Sequence, residues 1–503
     1  MTISRVMGLE NEYGISSAKS TDPIILSNRI VLAYANHIYP ETKIRWDYDL
    51  ENPLRDARGF DLSRAEADIS LLTNDEVTIP NLVLTNGARF YVDHAHPEYA
   101  APEVLTPSEI VQWDLAGERI MQIACALDAQ QNPDDKIRVF KNNVDNKGAS
   151  YGTHENYMTA RSIDFNKLIN VLTPHFITRQ LYCGAGRIGL GQQSERSGYQ
   201  ISQRADYIEA HVGLETTMKR PIINTRDEPH ADPAKHRRLH VIIGDANMSD
   251  FANLLKVGTT SLILSMIEDD FINSAEVELS DPVQIVKDIS QDLDMKNIYE
   301  TKSGKKLSAL NIQYWYLEKA REYCNLKGVD EQTKEILKNW EYALEGLKNN
   351  PEILVDKIDW LAKYSIIEKY RNRDRFDLNH PTIRSLDFKY SEITANDGIG
   401  QVLRRNGLLT ELISEEAIKK AITEPPETTR AWFRGKVLSN FSQSVSAVSW
   451  DSVIFDLDKS QPLVRISTLD PLRGTRELVG QFIDKSTSAA ELVSLIRATP
   501  GIN

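Results

Sequence analysis

The chain has 503 residues, a formal charge of −13, and 41% hydrophobic and 26% charged residues, a balance that excludes global disorder and, at roughly 100–200 residues per domain, holds about two to four domains. Its acidity excludes non-specific nucleic-acid binding, and no apolar run nears the ~20 residues of a membrane span, the longest lying near Ser261–Ile267. The first residues lack the apolar stretch of a signal peptide, and Cys125, Cys183 and Cys324 are too sparse for a disulfide framework or a zinc site, so a cytoplasmic protein is expected.

In chain order, Ile3–Leu9 reads as a strand. The stretch between Pro40 and Asn81 is long and mixed, either a functional mobile insertion, about 42–80, or a disordered one. Residues 81–93 read as a hairpin, two apolar runs joined by Asn86-Gly87. Thr106, Pro107 and Glu109 form a capping box that opens a helix, and Ile110, Trp113, Ile120 and Ile123 carry it to about Ala129. Ile137–Phe140 and Arg238–Gly244 are further strands. Residues 307–373 have helical spacing (Leu310, Tyr314, Leu317, then Ile336, Trp340, Leu344), and their aromatics are read as core. Pro425-Pro426 marks a break. The tail holds strands at Ser452–Phe455 and Leu463–Ile466 and a helix near Ala489–Arg497, predicting a small C-terminal domain from about residue 430.

The chemistry concentrates in the first half. Eight of the ten histidines lie between His94 and His240, where even placement would put about three. If the first strand continues, Glu10 and Glu12 share a face, because strand side chains alternate. Such a pair is either a solvated strand face or a site for a hard divalent cation. The same alternation puts Arg89, Tyr91 and Asp93 on one face and Phe90 and Val92 on the other. His94, His96, Glu98 and Glu103 follow within ten residues. His154 and Asn156 sit in a polar stretch, and Arg238 and His240 share a strand face. A single such histidine would be structural; three converging polar strands point to Mg²⁺ bridging polyphosphate oxygens. Gly184–Gly189 has GxGxxG spacing without a βαβ context and is set aside, and neither an HExxH nor a P-loop is present.

The runs Arg5–Ile15, Arg45–Tyr48, Pro53–Arg64, Thr85–Tyr99, Lys141–Asp145, Asn224–Asp232 and Ser449–Asp456 resemble the Pup ligase/depupylase family, a branch of the glutamine synthetase and carboxylate-amine ligase superfamily. The resemblance covers essentially the whole chain. It implies an α+β fold: a large glutamine-synthetase-like domain, residues 1–429, with a curved, mainly antiparallel sheet flanked by helices, and a small C-terminal α/β domain, residues 430–503. Asp93 is then the catalytic carboxylate. Glu10, Glu12, Tyr91, Glu98, His154 and His240 form the metal and phosphate shell. Arg89, Asn156 and Arg238 contact the phosphates of ATP, the backbone near Ala101 and the Trp450 side chain seat the nucleotide, and Arg204 and Arg226 are candidates for the acidic C-terminal residue of Pup.

Two features place the chain on the deamidase/depupylase side of that family: the spacing Asp93-His-Ala-His-Pro-Glu98 and the insertion at about 42–80. Leu9–Glu12 is expected in both branches and does not separate them. The resemblance implies an ATP- and Mg²⁺-dependent amide hydrolase that converts the C-terminal Gln of Pup to Glu and cleaves the isopeptide bond of pupylated proteins, with the nucleotide held and not spent, in functional connection with the bacterial proteasome. The alternatives are an ATP-consuming ligase that forms the same bond and a non-catalytic Pup-binding module.

Overall fold

The computed structural model describes residues 3–40, 42, 44–49, 51–63, 67, 80–145, 148–191, 195–394 and 396–499. Its centre is a sheet of six strands: β1 (Met7–Glu12), β2 (Asn81–Val83), β3 (Arg89–Asp93), β4 (His96–Ala100), β5 (Thr153–Ala160) and β6 (His236–Val241). Their order is β6-β5-β1-β4-β3-β2, and every neighbouring pair is antiparallel. β1 starts later than the expected Ile3 and runs through both glutamates.

The register separates two faces. Glu10 lies opposite His154 and Ala100, Glu12 opposite Glu98, Glu98 opposite Tyr91, and Asn156 opposite Gly8 and His240. Alternation puts all of these on one side of the sheet. Met7, Leu9, Phe90, Val92, Tyr99, Tyr157 and Leu239 occupy the other side and are buried in the main core. Against that apolar side pack three helices, α1 (Pro23–Ile38), α2 (Pro107–Gln131) and α3 (Asp250–Glu268). α2 begins with the expected capping box. α1 is capped by the Asp22 carboxylate, which accepts from Ile24 N and Ile25 N ahead of Pro23. α3 contains the apolar Ser261–Ile267 run and is buried along most of its length. Its Lys256 stays satisfied by donating to Asp245 O at 2.9 Å and Asn247 Oδ1 at 3.0 Å.

The β2–β3 hairpin turns through more residues than an Asn-Gly pair alone would need. Leu84 N donates to Ala88 O at 2.8 Å, and of the turn residues only Gly87 takes positive φ, +80°. A two-residue type I′ turn needs positive φ at both positions. Asn86 instead stays on the right-handed side and uses its side chain, accepting from Ala88 N at 3.1 Å and donating to Tyr99 OH at 3.1 Å. The Gly184–Gly189 run opens no helix: Arg187–Gly189 pairs with Gly198–Gln200 as a ribbon. The helical block is Ala309–Lys327, Glu331–Asn349 and Asp359–Asp374, and its Trp340 and Trp360 are fully buried core residues.

Beneath the sheet lies a buried charge network. Lys141 Nζ meets Asp114 Oδ2 and Glu118 Oε1, each at 2.7 Å, and Arg404 reaches Glu118 at 3.1 Å and Asp250 at 3.2 Å. Asn11, on the core side of β1, donates to Asp114 Oδ1 at 2.6 Å.

A second hydrophobic cluster gathers Trp432, Phe433, Val437, Val448, Val453, Phe455, Ile483 and Leu492, and takes in Ile44, Trp46 and Val83 from the first hundred residues. Its sheet runs Val464–Ser467, Ser452–Phe455, Val445–Val448 and then Arg45–Trp46, the last two strands parallel. The described residues between 44 and 62 are therefore built into the fold. Asp47 pairs with Arg465 at 2.5 Å, and buried Asp56 accepts from Thr225 Oγ1 at 2.6 Å. The rest of the expected insertion, residues 43, 50, 64–66 and 68–79, lies outside the described residues.

Glu103, just after β4, is clamped by two guanidiniums of the C-terminal part, Arg430 at 2.8 Å and Arg434. Burial works against its charge, but the two arginines outweigh it and hold the carboxyl at about 2. A depressed carboxylate stabilises the fold above its unfolded value near 4.5 and loses that contribution as pH falls toward 2. Glu103→Gln is expected to lower stability by about 3 kcal/mol at pH 7. The gap to the unsubstituted protein should close between pH 5 and pH 2 in urea denaturation; a gap independent of pH would contradict the assignment.

Candidate active site

The polar side of the sheet opens into a cleft. Glu10, Arg89, Tyr91, Asp93, Glu98, His154, Arg226, Arg238, His240 and Trp450, all singled out in the sequence, line it. An adjoining slot is walled by Gly8, Ala101, Asn156, Met158, Pro229 and Trp450. Each strand contributes by alternation, so five separate stretches of sequence converge without any of them departing from regular geometry.

Two groups of ligand atoms lie close enough to share a cation: Glu10, Glu98 and His154, and Glu12, Asp93 and Glu98, with the atoms of each group within 4.8 Å of one another. Glu98 belongs to both. Burial, and then the neighbouring Asp93, Glu10 and Glu12 carboxylates, push Glu98 well above the ordinary carboxylate range. Burial alone would raise Glu10 too, but the His154 ring and Arg238 outweigh it and leave it low. His240 is driven well below the usual imidazole value by burial and by Arg238, so it is neutral and free to ligate. Carboxylate crowding of this kind is relieved by a divalent cation, and a donor set dominated by oxygen suits Mg²⁺ better than zinc.

Glu12 is held from behind. Gly152 N donates to its Oε1 at 2.9 Å. A Cβ on Gly152 would stand 2.1 Å from His154 Nε2 and 2.7 Å from Glu12 Oε1, so any larger residue there would displace both side chains. Tyr91 is half-buried, and desolvation of its hydroxyl together with the neighbouring Glu98 carboxylate raises it well above its usual value and keeps it protonated.

The cationic wall is complementary. Arg89 is nearly buried, and its Nε donates to Asn81 Oδ1 at 2.8 Å. Among the described residues it has no ion-pair partner, which leaves both Nη groups for an anion. Arg238 is oriented by Asn156 Oδ1 at 2.8 Å and Glu228 O at 2.7 Å. Trp450 lines the slot, with Arg434 4.9 Å from its ring and Trp46 edge-on at 5.3 Å.

Asp93 ends β3, more than a third exposed, at the rim of the carboxylate cluster. His94 Nδ1 lies 3.0 Å from its Oδ2, and His94 adopts φ +51°, a conformation that side chains other than glycine seldom take. Burial opposes ionisation of Asp93, but His94 outweighs it and keeps the carboxylate charged.

One expected residue lies elsewhere. Arg204 is buried, donates to Tyr151 O at 2.7 Å, and is not among the residues that line the cleft. Glu228, Glu51, Trp46 and Asn81 were not anticipated. Each lay inside or beside a quoted run, but pattern alone does not tell a residue that touches ligand from one that orients its neighbour.

The family model of the Pup-ligase protein matches residues 5–454. The chain belongs to the Pup-ligase family. Within it, a depupylase of Acidothermus cellulolyticus is 48% identical over 98% of this chain and 99% of its own length. A Pup deamidase/depupylase of Mycolicibacterium smegmatis is 45% identical, again over 98% of this chain and 99% of its own. The solved complex of Pup with its ligase PafA superimposes with a TM-score of 0.80 at 30% identity, covering 99% of this chain and 96% of that one. PafA in complex with ADP gives 0.73 at 34% identity, covering 80% and 89%. The antiparallel α+β architecture expected from the sequence is the one this family shares. Among the described residues no helix is long and apolar enough to cross a membrane.

Proposed function

We propose that this chain is an ATP- and Mg²⁺-dependent hydrolase that deamidates the C-terminal Gln of Pup to Glu and cleaves the Pup–lysine isopeptide bond of pupylated proteins. The observation that carries this reading is one charged aspartate, Asp93, at the rim of a carboxylate and imidazole cluster, beside a guanidinium with no ion-pair partner among the described residues and a slot lined by Trp450. Identities of 48% and 45% over nearly the full length to a depupylase and a Pup deamidase/depupylase favour hydrolysis over ligation, since the solved ligase structures are 30% and 34% identical.

The residues divide the work. Glu10, Glu12, Glu98, His154 and His240 would hold Mg²⁺, and Arg89, Asn156 and Arg238 would hold the phosphates, with the base between Ala101 and Trp450. A cation held there would supply electrostatic stabilisation to an oxyanion developing at the amide carbonyl. Tyr91 stays protonated and donates toward the cluster. Asp93 is the reacting carboxylate: either it adds to the amide carbon, the C–N bond breaks and ammonia or the lysine amine leaves with a proton from water, giving a transient anhydride that a second water opens to two carboxylates, or it takes a proton from the attacking water and passes it to the nitrogen that leaves. Arg226, in the cleft wall, faces the acidic terminus of Pup. The acidic Pup chain meets locally basic groups here despite the overall −13.

The test is to incubate the protein with ATP, Mg²⁺, Pup ending in Gln, and a pupylated substrate. Free Pup ending in Glu and bare substrate are expected, without stoichiometric ADP release. Net conjugate formation with ADP release would make it a ligase, and binding without turnover a Pup-binding module. Chelation by EDTA is expected to stop turnover, and added Mg²⁺ to restore it; full activity in EDTA would refute the cation site.

A further inference from the structure

The guanidinium of Arg89 is sandwiched. Its Cζ lies 4.1 Å from the Trp46 ring centroid on one side and 3.8 Å from the Tyr91 ring centroid on the other. Trp46 is itself fixed: its Nε1 donates to Glu51 Oε1 at 2.7 Å, its backbone belongs to the strand paired with Val445–Val448, and its ring meets Trp450 edge-on at 5.3 Å. The in-plane position of Arg89 is set by Asn81 Oδ1 at 2.8 Å, and Asn81 is in turn anchored to Tyr48 OH at 2.8 Å. Trp450, Trp46, Arg89 and Tyr91 therefore form one continuous column from the slot to the carboxylate cluster.

Resting on the nucleotide-dependent reading above, we propose that Trp46 is a positioning residue: it clamps the Arg89 guanidinium flat against Tyr91 and so aims both free Nη groups at the polyphosphate. Trp46 reaches no reacting atom. A long arginine side chain left without an ion pair would otherwise sample many rotamers, and ordering it at the moment of binding would weaken the contact. Stacking on two faces removes that freedom beforehand, and a desolvated cation–π contact is strong enough to hold it. Trp46 comes from the segment that also supplies an edge strand to the C-terminal sheet, so seating of that sheet and alignment of the phosphate contact are one event.

The experiment measures ATP and ADP affinity of the full chain with Mg²⁺ by calorimetry, for Trp46→Leu, Trp46→Phe, Arg89→Ala and the Trp46→Leu/Arg89→Ala pair, with thermal unfolding recorded for each without nucleotide. Trp46→Leu is expected to weaken ATP binding about tenfold, with turnover at saturating ATP retained. Trp46→Phe, which keeps a stacking face, is expected to stay within about threefold of the parent. In the Arg89→Ala background the Trp46→Leu change is expected to have no further effect, since the group it positions is gone. Asn81→Ala, which removes the in-plane support and leaves the indole in place, should raise Kd in the same Arg89-dependent manner and serves as a second probe if Trp46→Leu does not fold. Equal effects of Trp46→Leu, or of Asn81→Ala, with and without Arg89 would overturn the proposal. No nucleotide binding by the parent protein would overturn the nucleotide reading and this role together.

Discussion

Asp93→Ala is expected to lower cleavage of Pup ending in Gln at least about 10³-fold while ATP and ADP still bind. The expectation follows from where the side chain stands. It closes β3 at the rim of the cluster, charged and accessible, with His94 at 3.0 Å as its one side-chain hydrogen-bond partner among the described residues. Its removal takes away the reacting carboxylate and leaves Glu10, Glu98 and His154 in place to hold metal, and Arg89 and Arg238 to hold phosphate. Asp93→Asn should be as inactive, because an amide is neither a base nor a competent nucleophile there. Calorimetry with ADP and a single-turnover assay read the two halves separately. Loss of nucleotide binding in either variant would make Asp93 a ligand of the cation and not the group that attacks.

The second large effect is on stability. Lys141 lies beneath the sheet with its ammonium between Asp114 and Glu118, all three about 1% exposed. Burial opposes its charge, yet the two carboxylates raise it, and in return Glu118 is held at about 2, where burial is outweighed by Lys141 and Arg404. Lys141→Met keeps the volume and removes the charge. It should destabilise the protein by about 3–5 kcal/mol, because it strands two acids in the interior. Denaturant unfolding followed by tryptophan fluorescence measures this, and Lys141→Met/Asp114→Asn should recover part of the loss. A change below about 1 kcal/mol in the single variant would mean that water or Arg404 compensates the acids.

The parts that could be read beforehand are those in which local rules and the fold agree. Glu10 and Glu12, and Arg89, Tyr91 and Asp93, share a face because strands alternate, and that is a property of four or five consecutive residues. The capping box at Thr106 is equally local. What escaped was long-range. Nothing near Arg45-Trp46 signals that it joins a strand four hundred residues away, so the segment reads as an insertion. Arg204 looks like any basic residue near polar neighbours, and only the folded chain shows it buried and away from the cleft lining. The helix at Pro23–Ile38 carried its start signals, Asp22 and Pro23, but its apolar spacing is loose, with Ile24, Ile25 and Leu32 left exposed.

The parallel pairing of Arg45–Trp46 with Val445–Val448 also constrains biosynthesis. A ribosome releases the chain from its N-terminus, so for most of translation this short edge has no partner, and the segment stays unpaired until the last tenth of the polypeptide emerges. The catalytic cleft therefore reaches its final shape only after synthesis is nearly complete. A truncated or stalled product would present an open strand edge and a loose indole, the kind of surface on which nascent chains aggregate.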